Sequence, residues 1–547
     1  MKQDDRQIRF ALVIDGDYLP NWQCRCLESL LAERVELALV IRPRFASSDS
    51  ESHGGLKHLL FSVFQATVGR LSSMRRVSPR KLIRNAESRN CSIIDGVDGL
   101  HTFHESDAYD IGQANLDFIL YMGERTFGGS ITQAATLGFW HFSRENPENP
   151  PCFSEMLTGE DVVQATLLNA TRAGNVLLKR GVLKLTHHSY TRSANELLCE
   201  MAKWPAQVCR ELNAGIPLPT DAVNEPSHSS LTPDNWETLR FLAKLASNIA
   251  AVIWEKLFHY EQWSIGLIQE PIQTFASPDF QPKIKWLPVA GKGKFFADPF
   301  GVERDGERTI LCEYYDYRTA KGVISAIPLT QDDSMMPSEI VIEFPFHTAY
   351  PFLLEHNGEI YCIPETRIAS EIRLYKAVRF PLQWEKVCTL VENVPAVDST
   401  IFQHDGLWWL MYGENDDKLH ILHAPELLGP WTPHPRNPVK IDIRAARPAG
   451  KVFEHEDQLY RPAQDCSATY GGAIRLHRIT RLTPTDFAEE EISIIAPDAR
   501  GPYPHGLHTL TTMGNSTIID GKRFVFSPFG IITRIRQLIA KRAQKKG

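Results

Sequence analysis

The 547-residue chain lacks several features that would place it in a class at once. No apolar run approaches the ~20 residues with which a helix crosses a bilayer, so no spanning helix is expected. The ten cysteines are scattered without a C-x-x-C pair, and Cys24-Arg25-Cys26 has the wrong spacing for a zinc knuckle. Buried free thiols in a reducing compartment are expected, and no metal site is predicted. There is no G-x-G-x-x-G turn and no phosphate loop, which leaves a dinucleotide or ATP site without motif support. Excess positive charge is also lacking: the net charge of −7 removes the whole-protein case for nucleic-acid binding. The charged start Met1-Lys2-Gln3-Asp4-Asp5-Arg6 is unlike a secretory leader, and a cytoplasmic location is expected.

What is there is an ordinary globular composition, 43% hydrophobic and 23% charged, at a length that predicts two or three domains. The clearest signal is a repeat in the second half. Phe295-Phe296-Ala297-Asp298-Pro299-Phe300 returns as Ala349-Tyr350-Pro351-Phe352, as Val397-Asp398-Ser399-Thr400 and as Ala446-Arg447-Pro448-Ala449. The second-slot residues Asp298, Tyr350, Asp398 and Arg447 are 52, 48 and 49 residues apart. A period near fifty is the mark of propeller blades. The turns Asp305-Gly306, Asn357-Gly358, Asp405-Gly406 and, more loosely, Glu456-Asp457 follow at matching offsets and predict tight hairpins. The second strands then end in polar residues of one register: Glu313, Glu365, Glu414 nearby, and Arg461 with Gln464-Asp465. A weaker fifth copy is Gly506-Leu507-His508-Thr509, with Asp520-Gly521 as its expected turn. A five-bladed all-β propeller is predicted over 261–528, closed by a strand from Trp263 to Ile268 that pairs with the last blade.

In such a propeller the first strand of each blade lines the central channel. Asp298, Tyr350, Asp398, Arg447 and His508 are therefore expected in one ring, with Glu365, Glu414, Arg461, Gln464 and Asp465 close behind. Carboxylates and guanidiniums converging on a polar pit suit a sugar, and paired carboxylates can serve as acid, base or nucleophile at a glycosidic carbon.

The first half has another rhythm. Phe10 to Ile14, a helix from Asn21 to Ala32, and Val35 to Ile41 read as strand-helix-strand, which predicts a parallel α/β sheet. Leu116 to Tyr121 and Gly138 to Ser143 read as further strands. Asp15-Gly16-Asp17 is taken as a strand-end loop rather than a metal-holding pair. A Pro- and Ser-containing linker and a packing helix are expected over 216–260. At 529–547, Ile531, Ile535, Leu538 and Ile539 share a helical face. Six basic and no acidic residues occur from Arg534 onward. This predicts a basic amphipathic helix on an anionic membrane surface.

Two resemblances add to this reading. The order of strand, helix, Gly138-Phe139-Trp140-His141 and a Pro-rich segment through Pro151 resembles the formyltransferase fold, implying a Rossmann-like α/β domain over 1–215. His141 matches that family's catalytic His, but Phe139 stands where the family has Asn, and Thr171-Arg172-Ala173-Gly174-Asn175 carries no acid. The resemblance therefore implies a degenerate domain and argues against formyl-tetrahydrofolate as its cofactor. The blocks Phe295 to Phe300, Tyr350-Pro351-Phe352, Tyr361-x-x-Pro364-Glu365, Val397 to Thr400, Gly429-Pro430-Trp431, Ala446 to Gly450 and Tyr460-Arg461-Pro462-x-Gln464-Asp465 resemble the propeller domain of plant glucosamine inositolphosphorylceramide transferases and its bacterial relatives. More distantly, the same half resembles five-bladed glycosidases of the arabinanase, xylosidase and levansucrase kinds. That likeness implies Asp298 as base or nucleophile, Glu365 or Glu414 as acid, and Asp398 as the carboxylate that orients or tunes it. The expected function is a glycosyltransferase of surface polysaccharide or glycolipid synthesis, with a carbohydrate or glycolipid acceptor and a nucleotide-sugar as a compatible donor. A glycoside hydrolase, a one-carbon transferase acting on a sugar and a non-catalytic glycan-binding scaffold are the alternatives.

Overall fold

The computed structural model describes residues 7–45, 56–95, 100–144, 149–223 and 232–528, together with 530, 531 and 535. The basic tail lies outside the described residues, apart from Gly530, Ile531 and Ile535. Two compact units divide the chain, Met1–Ile249 and Ala250–Gly547, the division falling inside the helix Asn235–Phe258.

The first unit is built on a nine-stranded mixed sheet. At its centre Ile8–Val13 pairs in parallel with Val35–Phe45 on one side and Phe118–Tyr121 on the other. Glu87–Asp95 extends the first side and Phe139–Arg144 the second, again in parallel. Counted in chain order, these five strands lie 3-2-1-4-5. The antiparallel pair Val162–Thr171 and Gly174–Lys184 continues one edge. The central strands are apolar on both faces, as strands covered on both sides must be. Ala11, Val13, Leu39, Ile41, Ile119 and Tyr121 form one core. On the other face Phe10 stacks on Phe118 at 5.1 Å and Phe118 on Trp140 at 3.9 Å. Two helices follow the antiparallel pair, Tyr190–Met201 and Trp204–Asn213. Pro205 lies in the first turn of the second, where its missing N–H costs nothing.

The second unit is a propeller of five antiparallel sheets, four with four strands and one with a fifth short strand beside it. Two-residue hairpins at Asp305-Gly306, Asn357-Gly358, Asp405-Gly406 and Glu456-Asp457 join the first two strands of blades one to four, each with positive φ at both positions. The fifth blade corrects the expectation from sequence. Its hairpin is at Gly514-Asn515, because Met513 pairs with Ser516. Asp520 and Gly521 lie within the strand Ser516–Phe526, and the Asp520 carboxylate is fully buried. The strand His259–Ile268 pairs with Ser516–Phe526 along its whole length, so the segment entering the unit completes the blade that ends it.

Close to the axis the blades meet through backbone. Gly450, with φ +118°, bridges to Leu510 of the fifth blade, and its N–H donates to the Tyr350 hydroxyl at 2.7 Å. A Cβ at this position would sit 2.0 Å from the Leu510 carbonyl oxygen. Gly450→Ala is therefore expected to destabilise the propeller by about 3 kcal/mol. Gly306→Ala, at a turn where a Cβ meets nothing, is expected to cost about 1 kcal/mol of turn strain. Calorimetric melting of the two variants checks the difference.

Candidate functional site

The first strands of blades one, two and three share one distortion. Strand register slips between Ala297 and Phe300, between Ala349 and Phe352, and between Val397 and Thr400. The residues dropped from the ladder are Asp298-Pro299, Tyr350-Pro351 and Asp398-Ser399. The first of each pair has positive φ: 51°, 42° and 51°. This conformation is uncommon for any non-glycine residue and an outlier for tyrosine. A bulge re-aims a side chain that regular pleating would leave in the sheet. Here it does so at the same place in three blades.

The bulges are linked to one another. The Asp298 carboxylate accepts the Tyr350 N–H at 3.2 Å and the Thr509 hydroxyl at 3.1 Å. The Asp298 N–H in turn donates to Asp520 at 3.1 Å. Asp520 also accepts the N–H groups of His508 and Thr509 at 2.9 and 3.0 Å. The Tyr350 hydroxyl lies 3.0 Å from that of Thr400 and is completely buried, so tyrosine serves here as wall rather than as an open polar group.

Charge is concentrated in the pit. His508 lies between two carboxylates, Nδ1 2.6 Å from Asp520 and Nε2 3.5 Å from Asp298, and Trp263 stacks on its ring at 4.0 Å. Burial opposes its charge, but Asp520 and Asp298 raise the imidazole pKa, while His508 holds Asp520 low against the same burial. Ligand atoms of Asp298, His508 and Asp520 lie within 4.8 Å of one another, close enough to gather on one cation. Arg447 spans the other side, with Nε 2.5 Å from Asp398, Nη1 2.6 Å from Asp416 and Nη2 3.9 Å from Glu365. Gln464 donates to the same Asp398 oxygen at 2.6 Å. Tyr470 packs under the guanidinium at 5.0 Å.

Two carboxyl groups are tuned apart. Burial, with Asp398 and Asp520 nearby, raises Asp298 to about 6 against the pull of His508 and Arg447. Burial and then Asp398 raise Glu365 to about 8, with Arg447 opposing. At neutral pH the pit thus holds a mostly ionised Asp298 and a mostly protonated Glu365. Such a division is the kind that lets one carboxyl group accept a proton and another donate one.

The ring expected from sequence is thus partly assembled. Asp298, Asp398, Arg447, His508, Glu365 and Gln464 converge. Arg461 corrects the expectation: its guanidinium is bound in two places by Glu489 and by the Ala445 carbonyl, inside the fourth blade. A buried guanidinium needs such partners, and the acid that meets it lies on its own sheet. Asp465 is taken by Arg475 and Ser467. Glu414 keeps the register of Glu365, facing Ala396 as Glu365 faces Ala349, but is half-exposed and paired with His420 at 3.1 Å. His141 sits mid-strand in the other unit, between Tyr121 and Leu168.

Sequence reasoning left out Asp520, misread as a turn, and did not promote Glu313 to the site. Glu313 faces Ala297, in the register of Glu365. One of its oxygens has no hydrogen-bond partner among the described residues, and His347 Nε2 is 3.7 Å away. Burial first, then Asp298, Glu365 and Asp398, push its pKa well up. The shared register was the available signal.

Buried carboxylates and cations gathered at the axis of five blades suit a polyhydroxylated ligand. Against known proteins, residues 286–501 match the family described as glucosamine inositolphosphorylceramide transferase 1, N-terminal. The glucosamine inositolphosphorylceramide transferase 1 of Oryza sativa subsp. indica is 34% identical over 216 residues, 38% of this chain and 29% of that protein. The Arabidopsis thaliana protein of the same name is 31% identical over 258 residues, 42% of this chain and 34% of that one. The chain thus spans about a third of the length of these curated relatives. Among solved structures, a family 117 glycoside hydrolase of Zobellia galactanivorans aligns over 50% of this chain and 92% of its own, with 14% identity and a TM-score of 0.33. A thermostable family-43 glycoside hydrolase aligns over 41% and 85%, with 12% identity and a TM-score of 0.31.

The raised Glu365 has a consequence for stability. Its unfolded-state pKa is near that of a free glutamate, about 4.3. Between there and about 8 the folded chain holds a proton that the unfolded chain has released. Stability therefore falls as pH rises through that window. Glu365→Gln removes the term, so its melting temperature relative to the native chain is expected to be higher at pH 8 than at pH 5, read by differential scanning fluorimetry.

Proposed function

We propose that the propeller pit is the active site of a glycosyltransferase that adds a sugar to a surface glycolipid or polysaccharide. The observation that carries this reading is the convergence of Asp298, Asp398 and Glu365 with Arg447 and His508 in one buried constellation, with burial raising both Asp298 and Glu365. Asp298 removes the proton from the attacking hydroxyl, and Glu365 protonates the departing oxygen. Asp398 holds Arg447 and tunes Glu365, while Arg447 and His508 supply the positive charge that a departing phosphate needs. The name of the matched relatives favours a phosphoinositol-linked lipid as acceptor, and a nucleotide-sugar is the donor class proposed. Work at a lipid surface agrees with the basic amphipathic pattern of the tail, which would hold the chain on the cytoplasmic face of a membrane.

The test is mass spectrometry of surface glycans and glycolipids from cells lacking the protein, complemented with the native chain or Asp298→Asn. Loss of one whole sugar residue, restored by the native chain alone, is expected. Restoration by both chains would remove the propeller carboxylates from the reaction. Release of free sugar from aryl glycosides by the purified chain, with no donor present, would make it a hydrolase on the same residues. Once a substrate is in hand, the pH–rate profile is expected to be bell-shaped, with limbs near 6 and 8.

A further inference from the structure

The strand order of the first unit reverses at Ile8–Val13, which has its sequence successors on one side and Phe118–Tyr121 on the other. In open α/β sheets, ligands bind in the crevice beyond the carboxyl ends of the strands at such a reversal. A cavity of about 490 Å³ lies there, within the size range of small-molecule sites.

Its lining is divided by chemistry. Apolar walls come from Trp22, Met74, Phe142 and Leu198. The strand ends supply Asp15 and Tyr121, and the Tyr121 hydroxyl donates to Asp15 at 2.8 Å. Gln23 is fixed by its bond to the Met122 carbonyl at 2.6 Å. Tyr18 presents an exposed ring. Arg70 and Arg76 are also exposed, and neither has an ion pair among the described residues. Arg144, deeper, is matched by Glu124 at 3.3 Å. His141 contributes nothing here: Phe142 and Arg144 face the cavity, and alternation along the strand turns His141 to the opposite face.

The start of the helix Asn21–Leu31 narrows the choice of ligand. Its first two N–H groups, on Asn21 and Trp22, already donate to the carbonyls of Arg75 and Ser73. With those donors taken, and with no glycine-rich turn before the helix, anion recognition falls to guanidinium groups at the mouth. We infer that this cavity binds a nucleoside phosphate, with the base between the apolar walls, a ribose hydroxyl on Asp15 and the phosphates on Arg70 and Arg76. The site is separate in sequence from every residue of the propeller pit and does not depend on the reaction proposed there.

Isothermal titration of the full chain with UDP, CDP, GDP and ADP as probes tests it. Micromolar binding of at least one is expected, weakened about 10- to 100-fold in the Arg70→Ala/Arg76→Ala double variant and weakened by salt. Both arginines are on the surface, so the variant should melt like the native chain; Tyr18→Ala is a second exposed change expected to weaken binding. No binding at millimolar nucleotide would overturn the inference. So would binding untouched by the double variant and lost in Arg447→Ala, an outcome that moves the nucleotide to the propeller and leaves the transferase reading standing.

Discussion

The propeller depends on a backbone constraint repeated in three blades: a bulged first strand whose leading residue is held at positive φ. Each such residue costs about 1–3 kcal/mol. The conformation persists because each bulge is held by its neighbours. Asp520 takes the N–H of Asp298, Asp298 takes the N–H of Tyr350, and the Tyr350 hydroxyl meets Thr400 and the Gly450 amide. Carboxylates that tie blades together are thereby the same groups that face the axis. Fold closure and site geometry are one network.

Burying so many acids near one axis sets the electrostatics. Coulomb repulsion among carboxylates in a dry interior is strong, and an unpaired buried charge is not tolerated. The pit meets this in two ways. Arg447 and His508 pair with Asp398 and Asp520, and Glu365 and Glu313 keep their protons. Proton affinity is thus raised where burial and neighbouring carboxylates outweigh the nearest cation, as at Glu365, and held down where an ion pair is close, as at Asp520. Arg461 and Glu489 show the same rule away from the axis, where the buried acid is met by Arg461 on its own sheet and by Lys440 from the sheet of the third blade.

Much of this was readable in the chain itself. The fifty-residue period, the Asp-Gly and Asn-Gly turns and the second-slot residues depend on local chemistry, so blade count and most of the ring followed from pattern. The fifth blade was misread because its own turn, Gly514-Asn515, is less conspicuous than Asp520-Gly521, and only strand pairing distinguishes a turn from a mid-strand Asp-Gly. Arg461 and Asp465 shared the expected register with Gln464, yet a register places a Cα and not the end of a long side chain. In the first unit, apolar runs announced a covered parallel sheet. The order of its strands was not legible, since sequence separation says nothing about which side of Ile8–Val13 a later strand joins.

By itself the sequence determined what local chemistry controls: propeller repeats, tight turns, the α/β character of the first half, and Asp298, Asp398, Arg447 and His508 at equivalent blade positions. Tertiary structure decided what depends on distance through space. It brought Asp520 under His508, turned Arg461 onto Glu489, separated the proton affinities of Asp298 and Glu365, and opened a cavity where the first sheet reverses. Those outcomes rest on burial and on which residues remote in sequence come within a few ångströms, and no spacing along the chain encodes them.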